Sequence, residues 1–465
     1  LFTCFALTGF SQWAQDSLSL PRMLVQAVTF RDKVYFIGGE IGNYPDNETS
    51  EVAIYDCLAS AWLPSDSLSL GRSASACVSG DSGFYVVGGR ICNWSKAIGL
   101  AKFYDASNRI DIFKNGVWHT DSLPDAVWGG RAVKVGSKLL FTGFVDSINY
   151  ISSCIYASKK VYVFDESTGL WSTDSLSGAR TELGAATDGT LAIFAGGVNG
   201  LGVTSDVVDI YNSVTNTWTT SQLSVARGYV GAAYENGKFY FAGGVLAGVL
   251  NQSSDVIDIY DGTNWTTDHL SLARAGVMVA AVNDEVYFMG GSDFDLSLLL
   301  IPNSNGNYNT VDVLNTVTGA WSRQDFNYQD PVPFFGSAIW HQYAGITTWG
   351  NKIFVAGGGV TGWLFGNTII AYTRYIEIRD VTLGLRDVGA SVSFDLYPNP
   401  STGSFTLLLP EARAEIRITD LLGQEVWKIT ATSRTLNITL DANGVYLVHI
   451  QTRQGSAVRK LVIRR

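Results

Sequence analysis

Four histidines and one recurring arginine are the residues of this chain best able to do chemistry, and each sets a different limit. A copper or zinc centre needs several imidazole, thiolate or phenolate ligands on one ion. His119, His269 and His449 are scattered along the chain, and His341 has a single phenolic neighbour, Tyr343. One imidazole is not a metal site, so neither a metal nor a cofactor is expected. Asp293 and Asp295 are two acids in one loop stretch, a pattern that is ordinarily just solvated. Arg22, Arg72, Arg131, Arg180, Arg227 and Arg274 open similar segments. Such a near-ring suits an acidic ligand, but residues that come with every repeat usually hold the repeat together. No residue is assigned a catalytic role.

Binding is better served. Variable segments carry Trp94, Tyr150, Tyr156, Phe294, Tyr308, Trp363 and Phe365, and a turn places Trp128 three residues before Arg131. Aromatic side chains on rigidly held loops can stack on sugars or anchor a protein partner, and these residues are the candidate binding rim.

The elements that must position them are repeats. An apolar run ends in Gly-Gly at "VYFIGG", "FYVVGG", "AIFAGG", "FYFAGG", "VYFMGG" and "IFVAGG", while "LLFTGF" keeps Gly143 and puts Phe144 second. Trp171, Trp218 and Trp265 are spaced by 47, as are Gly196, Gly243 and Gly290. Each unit reads as four short strands, the second apolar on both faces because it lies between neighbouring sheets. Four strands in about 50 residues make a propeller blade. Seven Gly-Gly units balance seven Trp only if Trp13 supplies the last strand of the last blade, which would close the ring and remove free edges. A six-bladed count leaves Trp13 and residues 337–379 unexplained.

This pattern resembles the kelch repeat family over residues 13 to about 381. The resemblance implies a seven-bladed β-propeller, and it admits enzymes among its members. Copper oxidases of that family need the ligand set this chain lacks. A carbohydrate-active enzyme of the sialic acid epimerase or lyase type, working at the propeller mouth, stays open as an alternative.

Composition divides the chain. Residues 394–465 hold 9 Lys and Arg against 6 Asp and Glu, which leaves 23 against 36 for the rest. A net charge of −10 argues against nucleic acid, whose binders present a basic face. Alternating apolar positions between turn residues predict a small sandwich there. Tyr397-Pro398-Asn399-Pro400 with Gly403, then Gly423, Gly444, Tyr446 and Lys460 resemble the type A sorting domain of the type IX secretion system of Bacteroidota. The resemblance implies the secretion machinery as a partner and delivery to the outer surface or the medium. "LFTCFALTGF" reads as the apolar part of an export leader, with cleavage expected after Ser11 (Ala14 is the alternative). No apolar run is long enough for a transmembrane segment. Of the cysteines beyond the leader, Cys92 and Cys154 lie in adjacent long segments and form the preferred disulfide pair.

The expected order is a leader remnant at 1–11, a propeller at 12–381, a linker at 382–393 and a sorting domain at 394–465. The expected fold is all-β: a seven-bladed kelch-type propeller followed by a small Ig-like β-sandwich. The expected function is an exported, monomeric binding module for a glycan or protein ligand. A structural surface protein is the remaining alternative.

Overall fold

A strand that is apolar on both faces can be satisfied only between two layers, and the Gly-Gly runs solve this by stacking sheets around an axis. The computed structural model describes residues 13–41, 48–92, 104–149, 154–246, 252–292, 309–326, 344–364, 367–372, 375–381, 394–409, 412–420, 424–452 and 455–464. Contacts divide the chain into two compact units, Gln12–Val381 and a second that includes Thr382–Arg465.

In the first unit, seven antiparallel sheets of four principal strands form among the described residues. Blade 1 runs Gln26–Phe30, Lys33–Ile37, Glu51–Asp56 and Ala61–Ser67. Blade 2 has Ala76–Ser79, Gly83–Val87, Tyr104–Lys114 and Val117–Val127, with a short fifth strand at Arg90–Cys92. Blade 3 has Arg131–Val135, Lys138–Thr142, Lys160–Asp165 and Leu170–Ser175. Blade 4 comprises Gly184–Thr187, Leu191–Ala195, Val207–Asn212 and Thr217–Gln222. Blades 5 and 6 begin at Gly231–Glu235 and Met278–Val282 and end at Trp265–His269 and Trp321–Asp325. Blade 7 takes Gly345–Trp349, Lys352–Ala356 and Tyr375–Asp380 from the end of the unit and Ala14–Ser17 from its start. Ala14 lies opposite Ile378 and Ser17 opposite Tyr375. The innermost strands neighbour one another in cyclic order, blade 7 against blade 1 included. The first unit is a closed seven-bladed propeller.

Two repeated contacts lock the blades. Gly38 has φ +58°, and a Cβ there would sit 2.4 Å from the Arg72 carbonyl of the next blade, so only glycine lets the strands close. At the outer edge, the Asp of three "DSL" triplets and of the related "DHL" bridges blades. Asp16, Asp66, Asp174 and Asp268 accept the indole N–H of Trp62, Trp118, Trp218 and Trp321 at 2.7–3.0 Å. The other oxygen of each accepts the following backbone N–H. The Leu of the triplet is buried at Leu18, Leu68, Leu123 and Leu176.

The second unit is a β-sandwich with its own core. Asp395–Tyr397, Ser404–Leu408 and Thr435–Thr439 form one sheet; Glu425–Ala431, Ala414–Asp420, Gly444–Thr452 and Gly455–Ile463 form the other. Phe405 and Leu407 from the first sheet and Ile416, Ile418, Val448 and Leu461 from the second share one buried cluster.

Candidate functional site

The recurring arginines are the first test of chemistry against structure. Arg22, Arg72, Arg180, Arg227 and Arg274 are all at most 2% exposed. Each lies four residues before an inner strand and plugs its own blade. Arg72 donates from Nε to Gly88 O at 2.7 Å and pairs with Asp111 at 2.6 Å. Arg180 pairs with Asp209 at 2.5 Å, Arg274 with Asp312 at 2.9 Å, and Arg227 with Asp258. In blade 1 the acid is replaced by Ala53. There Arg22 meets the Gly38 and Glu51 carbonyls at 3.1 Å and the Glu51 carboxylate only at 3.8 Å, so burial pulls its pKa down to about 10. These guanidiniums are consumed by packing and reach no ligand.

Arg131 is different. It stands on the inner strand itself, opposite Thr142, and the repeat position four residues earlier is Val127. Blade 3 has exchanged the whole polar plug: Val127 replaces the arginine, Tyr162 the acid and Phe144 the second glycine, all at most 1% exposed. Phe144 and Tyr162 meet edge to face at 6.0 Å. Arg131 is thereby free of the plug, 40% exposed, and its Nη2 lies 3.5 Å from Glu182 Oε2 at the start of blade 4.

Around this pair a polar cluster gathers where the inner strands begin. Residues just past the plug position pair with residues just past the Gly pair: Met23 with Glu40, Ser73 with Arg90, Trp128 with Val145 and Thr181 with Val198. In blades 1 and 2 that places Glu40 and Arg90 together, ion-paired at 2.6 Å. The Arg90 guanidinium lies over the Trp128 indole, 5.5 Å from the ring centre, a cation–π arrangement. Burial raises the Glu182 carboxyl above its ordinary range, and the positive charges of Arg131 and Arg90 oppose that rise. Trp128 exchanges two backbone hydrogen bonds with Val145, at 3.2 and 2.9 Å. Val145–Asn149 pairs with Cys154–Ala157, the hairpin that carries Tyr156, which is 53% exposed. Blades 1 to 4 thus present two arginines, two acids and an indole on a fixed frame. Among the described residues no group of three or more His, Cys, Asp and Glu is arranged to hold a metal.

Of the sequence-predicted rim, Trp128 and Arg131 enter this cluster and Tyr156 is carried by the adjoining hairpin. Trp94, Tyr150, Phe294, Tyr308 and Phe365 lie outside the described residues, as do His341 and Tyr343. Trp363 is on the strand Gly359–Leu364, but its side chain lies outside the described set, as does that of Cys154, and with it the Cys92–Cys154 pairing. Glu40, Arg90 and Glu182 were missed by sequence reasoning. A signal existed. Glu40 and Arg90 follow the Gly pair where other blades place Val198, Val245 or Ser292.

In the sandwich, the sorting motif is stitched to the final strand. Asn399 donates from Nδ2 to Lys460 O at 2.7 Å and accepts from Val462 N–H at 2.8 Å, with Pro398 and Pro400 on either side. Ser401 N–H donates to Val462 O, and Arg464 N–H to Ser401 O, both at 2.8 Å. Gly403 has φ +122° and donates to Ser401 Oγ at 3.0 Å. Tyr446 is buried with its hydroxyl on Ala442 O, and a Cβ on Gly444 would sit 3.3 Å from the Tyr446 ring. Tyr397 and Lys460 remain exposed, and Gly423 lies outside the described residues.

No curated protein matches this chain. Among solved structures, that of YjhT is similar at 16% identity with a TM-score of 0.50, covering 66% of this chain and 99% of that one, a likeness that bears on fold alone. Residues 395–464 match the family model described as the secretion system C-terminal sorting domain. Among the described residues no helix is long and apolar enough to cross a membrane. The chain therefore ends in a sorting domain that directs it through the type IX system to the cell surface or beyond.

Proposed function

We propose that this protein is an exported kelch-repeat propeller of a Bacteroidota bacterium that binds a glycan at the mouth formed by blades 1 to 4. One observation carries the reading. Two mouth arginines outside the repeat plugs stand on either side of one indole's neighbourhood: Arg90 pairs with Glu40 and lies over the Trp128 ring, and Arg131, three residues on from Trp128, pairs with Glu182. Paired guanidinium and carboxylate groups offer several fixed donors and acceptors for hydroxyls, and an indole offers an apolar face. Rigid placement lowers the ordering cost of binding. A glycan array probed with the full chain tests this: Trp128→Ala and Arg131→Ala should each weaken the selected glycan by at least about tenfold, the loss typical of an anchor residue. Unchanged affinity in both variants, or no glycan bound, would sink the reading, and a protein ligand would then take precedence.

Glu182 favours a second reading, the carbohydrate-active enzyme. A half-buried carboxyl at the mouth, raised above its usual range by burial and placed 3.5 Å from Arg131, is in a position to act as an acid or base on a bound sugar. Turnover of the bound glycan, lost in Glu182→Gln with binding retained, separates the enzyme from the module.

A further inference from the structure

Leu24, Ala74, Gly129, Glu182, Tyr229 and Gly276 occupy one place in six blades, two residues past the plug and just ahead of the inner strand. All six have φ between +50° and +74°. Backbone bonds tie neighbours in this ring together. Ala74 N–H donates to Leu24 O, Gly129 to Ala74, Tyr229 to Glu182 and Gly276 to Tyr229, at 2.8–3.3 Å. Tyr343, the blade 7 counterpart, lies outside the described residues.

Left-handed backbone strains every residue but glycine, and a bulky side chain most. Blades 3 and 6 use glycine here, and a Cβ added to Gly129 or Gly276 would meet nothing within 4 Å. At those blades the ring aims a side chain away from the wall, into open space at the mouth. Ala74 is buried, and the other five are half-buried. The backbone asks for nothing larger than glycine, yet blade 4 carries Glu182 and blade 5 carries Tyr229. Residues kept in such conformations gather at sites of function. The backbone bond from Tyr229 N–H to Glu182 O, at 2.8 Å, roots these two side chains side by side on adjacent blades, and Arg131 lies 3.5 Å from the Glu182 carboxylate. Tyr229 thus borders the polar cluster on its blade 5 side.

We propose that Tyr229 is a sugar-stacking residue, and that the mouth takes a neutral pyranose with equatorial hydroxyls, as in a β-linked glucan. Such a sugar turns its C–H bonds to its two faces and its hydroxyls to its edge. The phenol ring takes a face, and the Arg131–Glu182 pair beside it serves the edge hydroxyls. A tyrosine on fixed backbone loses little rotamer freedom when it binds. Charge selects against acidic sugars. Arg131 already faces Glu182 and Arg90 faces Glu40, and residues 1–393 carry 36 acids against 23 Lys and Arg.

This inference rests on the glycan reading, and the test keeps the two apart. The full chain is titrated calorimetrically with cellotriose and with its uronate analogue, in which each primary alcohol is a carboxylate. Cellotriose should bind at least about tenfold tighter than the uronate. Tyr229→Gly should weaken cellotriose by about tenfold or more, the loss typical of an aromatic anchor, and Tyr229→Phe, which keeps the ring, should stay within about threefold. Glycine relieves the left-handed backbone, so the urea midpoint of Tyr229→Gly should not fall. A merely structural tyrosine would lower that midpoint and leave the affinity unchanged. NMR of the unaltered protein with isotope-labelled tyrosine guards against a misfolded variant: the ring signal absent from Tyr229→Phe should move when cellotriose is added. Tighter binding of the uronate would overturn the neutral class. Unchanged affinity in Tyr229→Gly, or a Tyr229 signal that stays in place at saturating cellotriose, would overturn the stacking role. Each of these outcomes leaves glycan binding intact. Binding of neither trimer would overturn the inference, and an array without hits would remove the glycan reading as well.

Discussion

Ser221 occupies the register position at which Asp174 and Asp268 accept the next blade's indole, and Trp265 Nε1 consequently has no hydrogen-bond partner. Ser221→Asp should supply the missing acceptor and stabilise the propeller by about 1 kcal/mol, read as a shift in denaturant midpoint. No gain would show that the outer-edge clamp contributes nothing net. The buried plugs predict the opposite sign. Asp258→Ala leaves Arg227 charged and unpaired inside blade 5, and breaking such a pair costs about 3–5 kcal/mol. Arg227→Leu with Asp258→Leu should cost less than Asp258→Ala alone, because blade 3 shows the plug surviving as Val127, Phe144 and Tyr162. Thiols follow the same logic of burial. Desolvation pushes Cys57 up to about 11 and Cys77 up to about 12, so at pH 8 both stay protonated in the folded chain. Iodoacetamide should label them slowly in the native protein and readily in denaturant. Above the ordinary thiol value of 9.0 the unfolded chain releases protons that the folded chain keeps, so this contribution to stability declines as pH rises toward 11.

Among the elements, the strand Ala14–Ser17 is the shortest of its blade and carries much of its closure. Trp13, just before it, is 4% exposed, 4.9 Å from the Phe326 ring and under the Arg379 guanidinium. Asp16 clamps Trp62, and Leu18 and Arg22 are buried behind it. Trp13→Ala should cost about 3–5 kcal/mol, the loss expected for a large aromatic in a packed core. Urea unfolding measures it, and a cost under about 1 kcal/mol would mean the blade closes without its outer strand. The blades were legible in the letters because Gly-Gly and Trp serve packing in every copy, and packing constraints repeat with the fold. Blade 3's exchange was not legible. Val127, Phe144 and Tyr162 are far apart in sequence, and each alone looks like ordinary decay of a repeat. Arg131 matched the recurring arginine by letter although it lies four residues out of register. Arg90 and Glu182 carry no periodic signal at all, since a binding residue needs to occur once.

At the scale of the molecule, the two units divide the work, and their charge follows the division. The propeller carries the acidic excess, while the sandwich is basic and contains its own buried cluster. Its sorting motif is not a loose tag. The Asn399 side chain, with one donor and one acceptor on Lys460 O and Val462 N–H, acts as a short piece of strand that fixes the last residues of the chain. If the secretion machinery reads the folded end of this unit, then two variants should behave alike. Deleting residues 394–465 removes the signal and should strand the propeller in the periplasm. Asn399→Ala leaves the other exposed side chains of the motif in place but unties the final strand, so its amides at 460–464 should lose hydrogen-exchange protection and its secreted fraction should fall. Asn399→Asp keeps the acceptor for Val462 N–H and loses the donor to Lys460 O, which predicts an intermediate result in both measurements. Normal secretion of Asn399→Ala despite lost protection would mean that the machinery reads the motif as linear sequence.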